Sequence, residues 1–216
     1  MFDTIFPKIH KEGYKFLAIG IILSLILINF NNFLGLLAIL LTIWVYFFFR
    51  DPERISIGND NFLVSPADGV VSEINEIQGP SELGLENKKF TRVSIFMNVF
   101  NCHVNRIPTS GQIEKLFYKP GKFLNATLNK ASEENERHYY QLKDKTNKTI
   151  IIVQIAGLIA RRIVCEVQEG QNLSQGDRIG MIRFGSRVDV IFESSKQIFV
   201  KLGQNVIAGE SLIAEL

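Results

Sequence analysis

From residue 16 to residue 49 the chain reads FLAIGIILSLILINFNNFLGLLAILLTIWVYFFF, without one charged side chain. Asn31-Asn32 divides this stretch into two apolar runs, residues 16–30 and 33–49. As helices rising ~1.5 Å per residue, each would extend roughly 22–26 Å. A hydrocarbon core of ~30 Å asks for about 20 residues, so each run is slightly short unless flanking residues or local thinning supply the rest. The pattern predicts two packed membrane helices joined by the Asn pair, because backbone groups in lipid must be bonded internally. Lys8, Lys11 and Lys15 precede the stretch and Arg50 and Arg54 follow it, which places both ends in the cytoplasm. Trp44 and Tyr46 suit an interfacial position. A cleaved signal peptide fits poorly, since no small-residue cleavage site follows. A buried helical pair in a soluble core, a single long helix and a re-entrant hairpin are the alternatives.

After Pro52 short β-rich runs alternate with turns. Val, Ile and Phe at two-residue spacing predict strands at residues 62–64, 69–74, 91–97, 113–118, 149–155 and 163–167. A weak helical pattern covers about 122–137. The expected fold class is mainly β (α+β): an amino-terminal membrane-anchoring helical hairpin over residues 1–54, then one β-rich barrel or sandwich over 55–216.

An internal repeat sharpens this. Val167-Gln-Glu-Gly170-Gln171-Asn172-Leu173-Ser-Gln-Gly176-Asp177 recurs as Val200-Lys-Leu-Gly203-Gln204-Asn205-Val206-Ile-Ala-Gly209-Glu210. Glycine stands where turns need positive φ. The two copies resemble the half-motifs of biotinyl/lipoyl-type domains, whose paired β units form a flattened barrel. On that reading these glycines shape the barrel and do no chemistry.

The composition narrows the functional classes. Apolar residues make up 46% of the 216 and charged residues 21%, so the chain is not disordered as a whole. A net charge of +2 does not indicate a nucleic-acid-binding surface. Cys102 and Cys165 cannot build a disulfide framework or a four-thiolate zinc site, and three histidines argue against a histidine-rich metal centre. P-loop and dinucleotide motifs are absent. What remains is a few polar residues among apolar strands. Gly185-Ser186 reads as an ordinary turn, yet such a pair is also the minimum for self-cleavage, since the serine hydroxyl can attack the neighbouring glycine carbonyl. His103 reads as a structural histidine near a strand end or as an acid-base group. Asp68 reads as a turn aspartate. His10 and His138 are surface or packing residues.

Taken together, several blocks resemble the phosphatidylserine decarboxylase family, in its short, archaeal-type branch. They are Phe48-Phe49-Arg50-Asp51-Pro52, Ser65-Pro66-Ala67-Asp68-Gly69 and His103-Val104-Asn105-Arg106. Pro120-Gly121-Lys122-Phe123 follows with Glu134-Asn135-Glu136-Arg137, then Ile155-Ala156-Gly157 with Ala160-Arg161-Arg162, and Phe184-Gly185-Ser186-Arg187-Val188-Asp189. They run in order over roughly residues 48–190.

The resemblance implies a proenzyme cut between Gly185 and Ser186 into a β chain 1–185 and an α chain 186–216. Ser186 would become a covalent pyruvoyl group, the pyruvate cofactor of this family. Through a Schiff base it would convert phosphatidylserine to phosphatidylethanolamine and carbon dioxide at the cell membrane, from the cytoplasmic side, without a metal. Asp68 matches an acidic residue of the maturation apparatus, and His103 a catalytic histidine suited to protonate the α carbon. Where the long branch has a second histidine this chain has Arg106, which cannot act as a base at neutral pH. Arg187, next to the cleavage point, is expected to hold lipid phosphate or carboxylate, and Arg106 is a second candidate for substrate binding. Arg50, Arg54 and Lys122 are candidates to face anionic headgroups. No chemical role for Asn135-Glu136-Arg137 follows from the sequence. A homo-oligomer is compatible with it.

Two other readings compete. A membrane-anchored adaptor with a lipoyl-like barrel accounts for the repeat but leaves Gly185-Ser186 and His103 unexplained. A serine hydrolase using Ser186, His103 and Asp68 lacks the Gly-x-Ser-x-Gly elbow.

Overall fold

The structure, a computed structural model, describes residues 6–122, 134–157, 162–183, 186–193, 195 and 197–216. The chain separates into two compact units, 1–53 and 54–216.

In the first unit, α1 (Tyr14–Phe30) and α2 (Asn32–Phe48) are broken apart by Asn31 alone. Asn31 is extended, and its side-chain oxygen accepts from the N–H groups of Phe33 (2.9 Å) and Leu34 (3.2 Å), an N-cap that restarts the helix at once. Asn32 therefore belongs to α2 rather than to the break. Small residues let the two helices close up. A Cβ on Gly20 would meet Thr42 at 2.6 Å, and one on Gly35 would meet the Ile28 backbone at 2.6 Å. The hydroxyls of Ser24 and Thr42 meet at 3.3 Å while bonding back to Gly20 and Ala38 carbonyls in their own helices. Isoleucines and leucines on the other faces are exposed. The segment Lys11–Phe30, 20 residues, is long and apolar enough to cross a membrane by length and composition; Asn32–Phe48 is shorter.

The second unit is mostly β. In chain order its strands are β1 (Phe62–Val64), β2 (Gly69–Gln78), β3 (Lys89–Met97), β4 (Val104–Arg106), β5 (Gly111–Lys119), β6 (Arg137–Asp144) and β7 (Thr149–Ala156). There follow β8 (Arg162–Cys165), β9 (Asn172–Leu173), β10 (Arg178–Arg183), β11 (Ser186–Phe192), β12 (Gln197–Ile198), β13 (Asn205–Val206) and β14 (Leu212–Glu215). Eight of them form a curled antiparallel sheet in the order β13-β2-β3-β11-β7-β6-β5-β9, beside two three-stranded sheets, β1-β14-β12 and β4-β10-β8. The large core, with Val188, Val190 and Phe192 of β11, lies on one face of the big sheet. A second apolar cluster, with Tyr139, Val153, Ile155 and Ile191, lies on the other.

The big sheet has two equivalent halves, and the sequence repeat closes each. Gly170 N–H bonds to Ile113 O (2.7 Å) where Gly203 N–H bonds to Val71 O (2.9 Å). Both glycines have φ +81°. The repeated glutamine ties each turn to itself, since Gln171 Oε1 accepts from Gln168 N–H and Gln204 Oε1 from Lys201 N–H, each at 3.0 Å. Across the centre, Val64 N–H bonds to Pro108 O and Arg106 N–H to Pro66 O, both at 2.9 Å.

The weak helix expected over 122–137 falls mainly on residues outside those described. Its last residue, Arg137, is the first of β6, paired with Lys119. Arg137-His-Tyr-Tyr-Gln-Leu-Lys-Asp alternates poorly in polarity because both faces of β6 are covered, Tyr140 and Leu142 in the large core and Tyr139 in the second cluster. Likewise β2 runs on to Gln78, four residues past the expected end, under the pairing of β3.

Candidate active site at one end of the sheet

Antiparallel pairing brings strand starts beside strand ends. Ser186, the first residue of β11, is opposite Met97, the last of β3, and Ala156, the last of β7. On the far side of β3, Val70 is opposite Phe96, so β2 begins here with Gly69 just after Asp68. Ala156 N–H bonds to Glu136 O at 2.9 Å, so β6 begins here as well. The loop of residues 98–103 leaves the same end of β3 and carries His103. Five of the blocks singled out in the sequence thus meet along one edge.

Ser186 is fully buried and its Oγ has no hydrogen-bond partner among the described residues. Leaving a buried hydroxyl unsatisfied costs about 1–3 kcal/mol. Gly185 lies outside the described residues. His103 is fully buried, and its Nδ1 lies 3.0 Å from the Asn101 carbonyl. A carbonyl oxygen only accepts, so Nδ1 carries a proton, and in the neutral ring Nε2 is the acceptor nitrogen. The His103 carbonyl accepts from Ile182 N–H at 3.4 Å, which ties this loop to the strand leading into Ser186. Asp68 is buried too. Its Oδ2 is 2.9 Å from Arg54 Nη2, and its Oδ1 accepts from Ala208 N–H at 2.8 Å. The three residues therefore share one end of the sheet, while both Asp68 oxygens are taken by Arg54 and Ala208 rather than by His103.

The two arginines expected at the substrate part company. Arg106 stays on the Asp68 side, with its backbone on Pro66 and its Nη1 on Gly176 O at 2.8 Å. Arg187 follows Ser186 on a strand, so its side chain goes to the opposite face. There it forms a fork to Asp189 (2.6 and 3.0 Å) and reaches Glu73 at 3.3 Å, and Glu73 in turn binds Arg92 at 2.7 Å.

A polar chain beneath Ser186 escaped the sequence reading. Tyr140 Oη donates to Gln154 Oε1 (2.5 Å), Gln154 Nε2 to Asn105 Oδ1 (2.8 Å), and Asn105 Nδ2 to Met97 Sδ (3.5 Å). All four residues are buried. Burial holds the Tyr140 hydroxyl well above the usual phenol range, so it stays a donor. The one available signal was Gln154, a lone polar residue in the run Ile150-Ile-Ile-Val-Gln-Ile. Asn135, of the block without an assigned role, holds the end of β7 by donating to Ala156 O at 2.7 Å.

A family model described as phosphatidylserine decarboxylase matches residues 41–214, a span that contains every residue of this edge. The chain belongs to the phosphatidylserine decarboxylase family. A protein of Pelagibacter ubique named phosphatidylserine decarboxylase proenzyme is 62% identical over 215 residues, covering 100% of both chains. Proteins of the same name from Ruegeria pomeroyi and Rickettsia akari are each 48% identical, over 216 and 214 residues, covering 100% and 99% of this chain and 99% and 93% of their own. These relatives are bacterial, and their similarity reaches through the helical unit, which the family model enters only at residue 41. The chain is accordingly a lyase of the decarboxylase class.

Proposed function

We propose that the chain is a phosphatidylserine decarboxylase proenzyme that cuts itself between Gly185 and Ser186. The observation that carries this reading is the buried, unpartnered hydroxyl of Ser186 at the start of the central strand. In the cut, Ser186 Oγ bonds to the Gly185 carbonyl carbon as its proton leaves, and the Gly185–Ser186 C–N bond breaks to give an ester. Elimination returns Gly185 as a carboxylate and leaves dehydroalanine at 186; tautomerisation and hydrolysis release ammonia. His103, oriented by the Nδ1 contact to the Asn101 carbonyl, is the group proposed to move protons here, through Nε2. Asp68, held by Arg54 and Ala208, is proposed to serve maturation.

The residues at this edge suit the pyruvoyl group that would remain at 186, because a small end group on β11 meets Met97 and Ala156 rather than water. That group supplies an electron sink for the loss of carbon dioxide. His103 then returns a proton to the substrate carbon, and Arg106, on the Asp68 side, is the better placed of the two arginines to meet the lipid. The engagement of Arg187 with Asp189 and Glu73 supports a positioning role for it instead. Cleavage need not release the short chain 186–216. Its first strand is paired over seven positions to β3 on one side and seven to β7 on the other, all from the 1–185 chain.

The paired apolar helices and their flanking Lys8, Lys11, Lys15, Arg50 and Arg54 support attachment to a membrane from the cytoplasmic side. Attachment would hold the site at the surface where phosphatidylserine headgroups lie. Arg106 and Phe184-Gly185-Ser186-Arg187 support the short branch of the family. The matched turns of the two halves support lipoyl-like half-motifs.

Denaturing mass spectrometry tests the reading. The wild type should run as fragments 1–185 and 186–216, the shorter one blocked to amino-terminal sequencing. Ser186→Ala should give one intact, inactive chain. An active wild-type preparation with an unbroken chain and no carbonyl trapped by borohydride would overturn it.

A further inference from the structure

The face of the large sheet turned away from Ser186 carries a cavity of about 360 Å³. Val153, Ile155 and Ile191 give it an apolar floor, and Arg92, Lys119 and Arg137 give it cationic walls. Most of that charge is answered locally. Arg92 and Arg187 share Glu73 and Asp189, two cations against two anions. Lys119 lies 2.8 Å from Glu82. Burial pushes the Glu82 carboxyl up, but its bond to Lys119 and the charges of Lys119 and Arg137 outweigh this and keep it ionised below the ordinary range.

Arg137 is the exception. It is 5% exposed and has no carboxylate within 4 Å among the described residues. Its Nε donates to Asn135 O and its Nη1 to Tyr139 Oη, both at 3.2 Å, while Nη2 is buried without a hydrogen-bond partner among the described residues. Tyr139 adds no charge of its own, because burial pushes its hydroxyl up to about 12, and the carboxylate it bonds, Glu82, is already held by Lys119. Lys119 and Arg137 are also direct cross-strand partners on β5 and β6, a like-charge pairing that destabilises a sheet. A buried guanidinium that shares one nearby carboxylate, Glu82, with a second cation is costly in the empty protein and favourable once an anion arrives.

We propose that this cavity binds a phosphate ester, with Arg137 Nη2 and Lys119 Nζ on the phosphate oxygens and the organic portion over Val153, Ile155 and Ile191. The phosphate comes either from a lipid headgroup or from a free phosphate compound. The site is separate from the Ser186 edge, although β11 underlies both: Ser186 and Val188 face one way, Asp189 and Ile191 the other.

Thermal unfolding of the full chain at fixed ionic strength tests this without reference to turnover. Inorganic phosphate and glycerophosphoethanolamine are titrated against wild type, Arg137→Met and Lys119→Met. The wild-type midpoint should rise saturably with ligand. Arg137→Met should unfold no earlier than wild type without ligand and should lose the ligand-induced rise. Lys119→Met, at a half-exposed position that keeps the fold, should bind about tenfold more weakly. If the part of the rise that depends on Arg137 is larger for glycerophosphoethanolamine, a lipid headgroup is the source; if larger for inorganic phosphate, a free phosphate is. A wild type that responds to neither ligand, or variants that respond as wild type does, would overturn the proposal. Should Arg137→Met fail to fold, an unchanged response in Lys119→Met overturns it alone.

Discussion

Asp68 and Ser110 hold the same place in the two halves of the large sheet. Asp68 Oδ1 accepts from Ala208 N–H at 2.8 Å, and Ser110 Oγ accepts from Gln175 N–H at 3.1 Å. Each precedes the glycine that opens its half, Gly69 and Gly111, and at both glycines a Cβ would run into the carbonyl of the neighbouring strand. A hydroxyl is therefore enough for the structural role, and the second carboxylate oxygen of Asp68, the one on Arg54, is surplus to it.

Asp68→Ser should accordingly fold, with a loss of about 1–3 kcal/mol because Arg54 is left without its carboxylate, while self-cleavage slows by about 100-fold or more if the carboxylate serves maturation. Gel analysis of the uncut precursor over time, beside a urea melt, checks both halves of the expectation. Asp68→Ser cutting at the wild-type rate would remove Asp68 from the machinery.

Replacing Arg187 by Met should act on stability. Glu73 keeps Arg92 at 2.7 Å, but Asp189, almost fully buried, is left with only Arg92 at 4.0 Å, a loss of about 3–5 kcal/mol. Restoring neutrality with Arg187→Met/Asp189→Leu should recover most of it. A single variant with unchanged unfolding but a raised KM for lipid would instead put Arg187 at the substrate.

Gln154 joins Tyr140 to Asn105, so Gln154→Leu leaves two buried polar groups unsatisfied. Each costs about 1–3 kcal/mol. Calorimetry should show a destabilisation of that order, and Gln154→Leu/Tyr140→Phe should be less destabilised than the sum of the single variants.

His138 sets a pH window. Burial pushes its imidazole from 6.5 down to about 4, so the native ring stays neutral where the unfolded ring takes a proton. Its contribution to stability is whole above about pH 6.5 and is lost as the pH falls towards 4, because the unfolded state gains the proton first. The difference in urea midpoint between wild type and His138→Phe should change across that interval and be flat above it; a constant difference from pH 4 to 8 would show that the ring titrates normally.

Much of the candidate site was legible in the chain because its signals are local. Gly185-Ser186, His103 and Asp68 each stand in short blocks, and the duplicated Gly-Gln turn announced itself by spacing. Arg187 shows the limit. Adjacent to Ser186 in sequence, it looks like a neighbour in chemistry, but a strand sends successive side chains to opposite faces. Gln154 and Arg137 show another: one polar residue in an apolar strand, and a cation in a block without an obvious role, acquire meaning only from the strands beside them.

By itself the sequence determined the apolar amino-terminal segment, the β character of the rest, the paired turns and the family, since these depend on composition, short-range periodicity and contiguous motifs. Tertiary structure decided which strand ends meet at Ser186, that Asp68 is spent on Arg54 and Ala208, and that Arg137 faces Lys119 across two strands. Those relationships arise from register between segments far apart in the chain, and backbone pairing of that kind leaves no mark in any single window of residues.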